Sequence, residues 1–375
     1  MKNRRWLFLT FLLLSLIFSG CSSSKEPISL DSFTEGAILT ELPEFQPYKS
    51  IDLKSLDMES YTIITFSENK IYLSYRDRDE NADFNIGYYD LDLEKLVPLY
   101  INKNISASNT IYVMKDNMYL SCYSNLDSYE NPYLSQVIQI SFNGDTKVLF
   151  ESPCIGIGFF AVVDDKMLLK WGIQEKDVYI DKLTLIDPNS SVNFDIAESY
   201  YYYVNDEDIT GERIFYASGY NNIIYFQRVS YKDESMYEEG TTSIIKYNIK
   251  KRTTEKVIGI DTKSIYISGS DNFIVLSKYE EDNLKTETGH FYNLKKKTFN
   301  KIPTVFTANF ILKTLWISES KVIVKPFGRY IYCDLAKGAY SELKVSENNE
   351  LVPVDDRTIM GLSIDGTRLD FYRID

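Results

Sequence analysis

A turn flanked by two short strand-like runs recurs along almost the whole chain, and this limits its possible folds more than any other feature. The turns are Glu68-Asn69, Asp116-Asn117, Asp164-Asp165, Asn221-Asn222, Asp271-Asn272, Glu319-Ser320 and Asp355-Asp356. Their flanks are alike. Thr110-Ile-Tyr-Val-Met precedes the second turn and Met118-Tyr-Leu-Ser follows; Ser264-Ile-Tyr-Ile-Ser precedes the fifth and Phe273-Ile-Val-Leu-Ser follows. Asp and Asn suit such turns because they tolerate left-handed backbone and bond to their own main chain. Successive turns lie roughly 35 to 57 residues apart, most near 48, which is the length of one four-stranded repeat. Beyond the N-terminal leader no long apolar stretch of helical period competes with this pattern.

A second set of turns repeats inside the same frame, within Tyr89–Val97, Ser141–Val148, Ile186–Ser191, Tyr247–Arg252, Tyr292–Thr298 and Cys333–Ala339. The last reads Cys333-Asp-Leu-Ala-Lys-Gly-Ala339. These segments resemble the third-to-fourth strand hairpins of TolB-like and quinoprotein-like β-propellers. The resemblance covers most of the chain and implies an architecture, not an activity. The expected fold is all-β: a β-propeller of seven four-stranded blades, with six or eight as alternatives. The last repeat holds only three strands, near Leu351–Val354, Thr358–Ser363 and Arg368–Ile374. Left so, it would present an unpaired edge. The segment Ala37–Leu42 is the expected missing strand, pairing with Arg368–Ile374 to close the ring.

The N-terminus carries Lys2, Arg4 and Arg5, then the apolar run Trp6–Phe18, then Ser19-Gly20-Cys21. A basic start, an apolar run too short to span a bilayer comfortably and small residues before a cut describe a signal peptide. The cysteine directly after Ser-Gly resembles the bacterial lipobox. That resemblance implies cleavage before Cys21 and a lipid on its sulfur, with Phe18 departing from the usual Leu. The organisation read from this is a signal peptide at 1–20, a lipidated tether at 21–35 and a propeller domain at 36–375. The expected location is the extracytoplasmic face of a membrane.

The formal charge is −13, and the leader would take three cations with it. This surplus argues against nucleic acid as a partner, since phosphate binding needs neutralising cations, and against broad electrostatic adhesion to anionic lipid. Cys122, Cys154 and Cys333 cannot all pair within one chain. They are either small buried apolar residues or include one disulfide. A lone histidine, His290, cannot build a multi-histidine zinc site, and no Gly-x-Ser-x-Gly elbow accompanies it.

In such a frame the first-to-second and third-to-fourth turns share one face. The second-to-third connections share the other, and here they read as long and polar: Arg76–Phe84, Ser124–Ser135, Gly172–Lys182, Ser230–Thr242 and Lys278–Gly289. Loops on a rigid frame carry function, so ligand contacts are expected there at Tyr129, Tyr133, Tyr231, Tyr237 and Tyr279. Asp77, Asp79, Asn81 and Asp83 place oxygen ligands at alternate positions, as at the start of a calcium loop. Ala82 replaces the turn glycine and no closing Glu follows, so a plain acidic loop competes with a Ca2+ site here, and no other cofactor is expected.

Two functional classes follow. One is a non-catalytic envelope propeller binding a protein, peptide or glycan. The other is a glycoside hydrolase or polysaccharide lyase using loop carboxylates. A carboxylate pair with perturbed pKa values would favour the enzyme; an open aromatic rim would favour the binder.

Overall fold

The computed structural model describes residues 37–53, 61–76, 84–101, 105–106, 111–124, 133–154, 156–190, 192–204, 208–236, 240–260, 265–278, 288–301, 313–325, 330–345, 351–355, 357–363 and 366–374. Every regular element among them is a β-strand. An N-terminal strap comes first, with β1 (Ala37–Ile38), β2 (Thr40–Glu41) and β3 (Lys49–Asp52). The first unit is β4 (Tyr61–Ser67), β5 (Lys70–Arg76), β6 (Phe84–Asp90) and β7 (Lys95–Ile101). The second is β8 (Ile105–Ser106), β9 (Ile111–Met114), β10 (Asn117–Ser124), β11 (Tyr133–Ser141) and β12 (Thr146–Cys154).

The third unit comprises β13 (Gly156–Val163), β14 (Lys166–Glu175), β15 (Val178–Asp187) and β16 (Val192–Tyr203). The fourth comprises β17 (Asp208–Tyr220), β18 (Ile223–Met236), β19 (Thr241–Asn248) and β20 (Thr253–Ile260). The fifth is β21 (Ile265–Gly269), β22 (Phe273–Lys278), β23 (Thr288–Asn293) and β24 (Thr298–Lys301). The sixth is β25 (Lys313–Trp316), β26 (Lys321–Lys325), β27 (Tyr330–Asp334) and β28 (Ala339–Leu343). The last is β29 (Val352–Asp355), β30 (Thr358–Leu362) and β31 (Arg368–Arg373).

The arrangement is all-β and propeller-like, but it is not seven separate four-stranded sheets. Among the described residues six hydrogen-bonded sheets form, of which five have four or five strands and one has eight. The large sheet runs from β13 to β20 because β16 pairs with β17 at Tyr201↔Gly211, Tyr202↔Thr210 and Tyr203↔Ile209, fusing the third and fourth units.

Turn chemistry explains why one repeat recurs. The residue ending the third strand is Asp or Asn in most units, and its side chain accepts backbone N–H groups from the hairpin that follows. Asp90 Oδ1 takes the amides of Asp92 and Leu93 at 3.0 and 3.1 Å. Asn293 Oδ1 takes those of Lys295 and Lys296 at 3.0 and 2.8 Å. Asp187, Asn248 and Asp334 act alike. These bonds offer the backbone a turn in place of a longer ladder. Five of the hairpins then donate to their unit's first turn: Leu91 to Asn69, Phe142 to Asp116, Ile249 to Asn222, Leu294 to Asn272 and Leu335 to Ser320, at 2.8–3.1 Å. The two sets of short turns therefore share one face.

Second strands are buried on both sides, as in Ile71–Tyr75, Met118–Cys122, Ile223–Gln227, Val322–Val324 and Thr358–Leu362. That accounts for their continuous apolar runs, since each sheet is covered by a neighbour on both faces. Tyr72 and Ile86 pack against Met118 and Ile140 of the next sheet. Tyr119 and Val137 meet Met167 and Leu169, and the pattern continues to Ile323 and Tyr332 against Ile359 and Tyr372. A further core joins Met360, Leu369 and Phe371 of the last unit to Ile63, Ile71 and Leu73 of the first. The ring is closed there, each fully buried side chain contributing about 1.5–3 kcal/mol.

The missing strand is supplied by the N-terminus, but not by Ala37–Leu42. Lys49–Asp52 pairs antiparallel with β31, at Lys49↔Phe371, Ser50↔Asp370, Ile51↔Leu369 and Asp52↔Arg368. Ala37–Ile38 instead runs parallel to β24, and Thr40–Glu41 parallel to β28. The apolar strap segment is held because Leu39 buries into the core between the fifth and sixth units. Cys122, Cys154 and Cys333 are all buried and form no disulfide. Burial pushes the Cys122 thiol up to about 11.

Candidate functional site: an aromatic rim on the fused sheet

Most of the expected ligand contacts lie outside the described residues: Tyr129, Tyr237 and Tyr279, with Asp77, Asp79, Asn81 and Asp83, and the lipobox Cys21. Tyr133 opens β11, its backbone opposite Cys154. Tyr231 is not a loop residue. β18 continues through it to Met236, and its ring is 4% exposed, packed with Tyr201, Ile209 and Val229. Strand alternation turns Val229 and Tyr231 inward with Ser230 between them. Gly172–Lys182 is likewise not a loop. β14 and β15 pair from Gly172↔Asp181 to Glu175↔Val178, and only Lys176-Asp177 turns, with Lys176 at φ 58. His290 lies within β23, opposite Leu276.

The fused sheet has the longest strands in the molecule. Their far ends extend on the face opposite the short hairpins, and β16 closes there with Tyr200-Tyr201-Tyr202-Tyr203-Val204. Alternation sends these side chains to two faces. On one face Tyr201 stacks on Tyr179 with centroids 5.3 Å apart at 19°, and Tyr203 meets both rings edge-on at 5.4 and 6.0 Å. The Arg213 guanidinium sits 4.2 Å from the centre of the Tyr201 ring and 4.9 Å from that of Phe215. Below it Asp181, 4% exposed at its side chain, accepts from the Ile214 amide at 3.2 Å and forms ion pairs with Lys170 at 3.1 Å and Arg213 Nε at 3.5 Å. Burial lowers the Lys170 pKa, against the pull of Asp181. Two cations and an amide around one carboxylate make a compensated ionic anchor, which holds β14, β15 and β17 together under the rim.

On the other face Tyr200 donates to Glu198 Oε2 at 2.7 Å. Lys182 reaches Glu198 at 2.8 Å and Asp195 at 3.4 Å. It also lies 5.3 Å above the Trp171 ring, whose indole N–H donates to Thr184. The Lys182 hydrogen bond, followed by that from Tyr200, holds the Glu198 carboxyl below its ordinary range. Where β16 meets β17 the backbones come unusually close. Gly211 stands at φ +103, and a Cβ there would lie 2.3 Å from the Tyr200 carbonyl oxygen, so only glycine fits.

The outcome is a rim with Tyr200 at 53%, Tyr202 at 48%, Tyr203 at 46% and Val204 at 41% exposure, contiguous along one strand end. Tyrosines of this kind offer flat apolar area with a hydroxyl at the tip, suited to stacking on sugar rings, side chains or peptide planes. Among the described residues no cluster of three or more His, Cys, Asp or Glu side chains could hold a metal ion. The described carboxylates that depart from their ordinary range, Asp165, Asp187 and Glu198, all move downward, which keeps them ionised rather than ready to donate a proton.

No family model and no curated protein matches the chain. Solved structures similar to it include TolB from Acinetobacter baumannii, at 11% identity, covering 81% of this chain and 80% of that one, with a TM-score of 0.42. An oligogalacturonate lyase in complex with manganese is 9% identical over 89% of this chain and 99% of its own, with a TM-score of 0.48. The tricorn protease is 12% identical over 80% of this chain and 31% of its own, with a TM-score of 0.46. At these identities and scores the likeness says nothing of activity, and the fold stands on the sheets, turns and cores described above.

Proposed function

We propose that this chain is a membrane-anchored extracytoplasmic lipoprotein, held by a lipid on Cys21, whose β-propeller binds a protein, peptide or glycan partner without transforming it. The contact surface is the aromatic rim of Tyr200, Tyr202 and Tyr203. The carrying observation is the exposure of three large aromatic side chains and Val204 in one run, on a sheet end braced by the Asp181 anchor. Exposed aromatic side chains gathered at one strand end and framed by polar groups suit an interaction site, and tyrosines supply much of the energy at such sites. The ring counts as seven blades when the eight-stranded sheet is taken as two units. In support, β16 and β17 pair only at their far ends, and Val163, Leu183 and Leu185 of the third unit form a core with Ile214, Ile224 and Phe226 of the fourth.

The test is capture from native membranes by the full lipidated chain, followed by titration of the recovered partner. Replacing Tyr200, Tyr202 and Tyr203 with Ala should weaken binding at least about tenfold, on the scale of aromatic contacts, with the melting temperature still that of a folded ring. Leu93→Ser, on an exposed hairpin of the opposite face, should leave binding unchanged. Equal affinity of the rim variant and the parent would refute the assignment.

A further inference from the structure

The chain's acidic surplus is unevenly spread over the short-hairpin face. Between the third and fourth strands, the first three units carry Leu91–Glu94, Phe142–Asp145 and Pro188–Ser190, with three acids and no cation. The corresponding hairpins of the fourth and fifth units carry Lys250, Lys251 and Arg252, then Lys295, Lys296 and Lys297, all exposed. The nearby carboxylates are engaged locally. Asp271 is 4.0 Å from Lys246, Glu319 accepts from Asn272 at 2.6 Å, and Asp334 binds Lys337 at 3.4 Å. Lys250 reaches the Asn222 side-chain oxygen at 3.1 Å and Arg252 lies 5.5 Å from the centre of the Phe194 ring, and all six hairpin cations are exposed, as one basic sector.

The N-terminal strap enters at the same place. β1 runs parallel to β24 with Ala37 opposite Asn300 and Ile38 opposite Lys301. Traced toward its N-terminus, β1 thus points to the end of β24 that carries Lys295–Lys297. Sixteen residues, 21–36, connect Cys21 to this point. Even fully extended, sixteen residues reach at most about 53–58 Å, which bounds how far the sector can stand from whatever surface holds the lipid. Charge attraction then acts within a Debye length of about 8 Å.

We propose that this basic sector of Lys250, Lys251, Arg252, Lys295, Lys296 and Lys297 rests on anionic phospholipid headgroups of the membrane that holds Cys21. This orients the tyrosine rim on the opposite face away from the bilayer. The inference rests on the lipoprotein reading. Clustered cations near an anionic leaflet are attracted to it, so beside the lipid on Cys21 the sector acts as an orienting contact. The rest of the acidic ring is repelled, so contact is confined to the sector where the tether enters.

The test uses the full lipidated protein on vesicles of pure phosphatidylcholine and on vesicles containing one-third phosphatidylglycerol. Flotation reports the anchor. Acylation of individual lysines by a membrane-impermeant reagent reports orientation. Labelling of Lys295–Lys297 relative to Lys176, on the opposite face, should fall about threefold or more on anionic vesicles and recover in high salt. Lys295→Glu with Lys296→Glu and Lys297→Glu should abolish the protection remaining at Lys250 and Lys251. If the protein floats with both vesicles and the labelling ratio is the same on each, the orientation is wrong and the anchor stands. If it floats only with anionic vesicles, with the lysines protected, the basic sector stands and the anchor falls. If it floats with neither, both fall.

Discussion

Gly211 shows how one residue decides the shape of the rim. Its positive φ, and a backbone so close that a Cβ would stand 2.3 Å from the Tyr200 carbonyl oxygen, allow β17 to lie against β16. That contact turns the tyrosine run into an ordered edge. Gly211→Val should cost about 2 kcal/mol or more, seen as a lower denaturant midpoint, and should loosen Tyr200–Tyr203 enough to raise their hydrogen exchange. Unchanged stability would mean that the two strands do not approach in this way. The tyrosine run is visible in the sequence, yet a search of second-to-third loops does not reach it, because these residues end a fourth strand. Tyr231 misleads for the converse reason. Tyrosine is amphipathic, so its presence in a polar stretch does not tell whether the ring faces solvent or core.

At the scale of elements, the hairpin grammar is the most legible part. The Asp and Asn residues that mark the repeats do accept the turn amides, as at Asp90 and Asn293. Left-handed positions are less legible, since Glu94, Lys115, Arg252 and Lys297 adopt positive φ with no glycine or asparagine to announce it. Each such residue stores strain that glycine would relieve. Glu94→Gly should therefore raise stability by up to about 1 kcal/mol, measured by denaturant unfolding; a loss instead would show that the Glu94 side chain contributes more than its backbone costs. Gly172–Lys182 looks like a loop in the sequence because Gly172 and the charges at Glu175–Asp177 suggest a break. The ladder runs past them, since Lys176-Asp177 suffices as a turn.

For the whole molecule, the repeat makes an all-β ring legible, and the three-stranded last repeat makes closure by the N-terminus legible. The closing strand itself is not. Ala37–Leu42 has the apolar alternation of a strand, and it does pair, but along the outer edges of the fifth and sixth units. Lys49-Ser-Ile-Asp52 offers a single apolar residue, Ile51, and its partner Leu369 is more than 300 positions away, so no local pattern marks it. The fusion of two units is equally hidden, because it depends on the β16–β17 approach and not on hydrophobic period. Both proposals about the two faces presuppose that the ring is closed at β3 and β31, since only a closed ring sets every short hairpin on one side and the rim on the other. Amide hydrogen exchange at Tyr48 and Leu53, which donate to Phe371 and Thr367 at 2.9 and 2.8 Å, measures this directly. Closure predicts that both amides are protected to the same degree as those of β30 and β31. Exchange at the rate of an open chain at Tyr48 and Leu53, with β30 and β31 still protected, would contradict it.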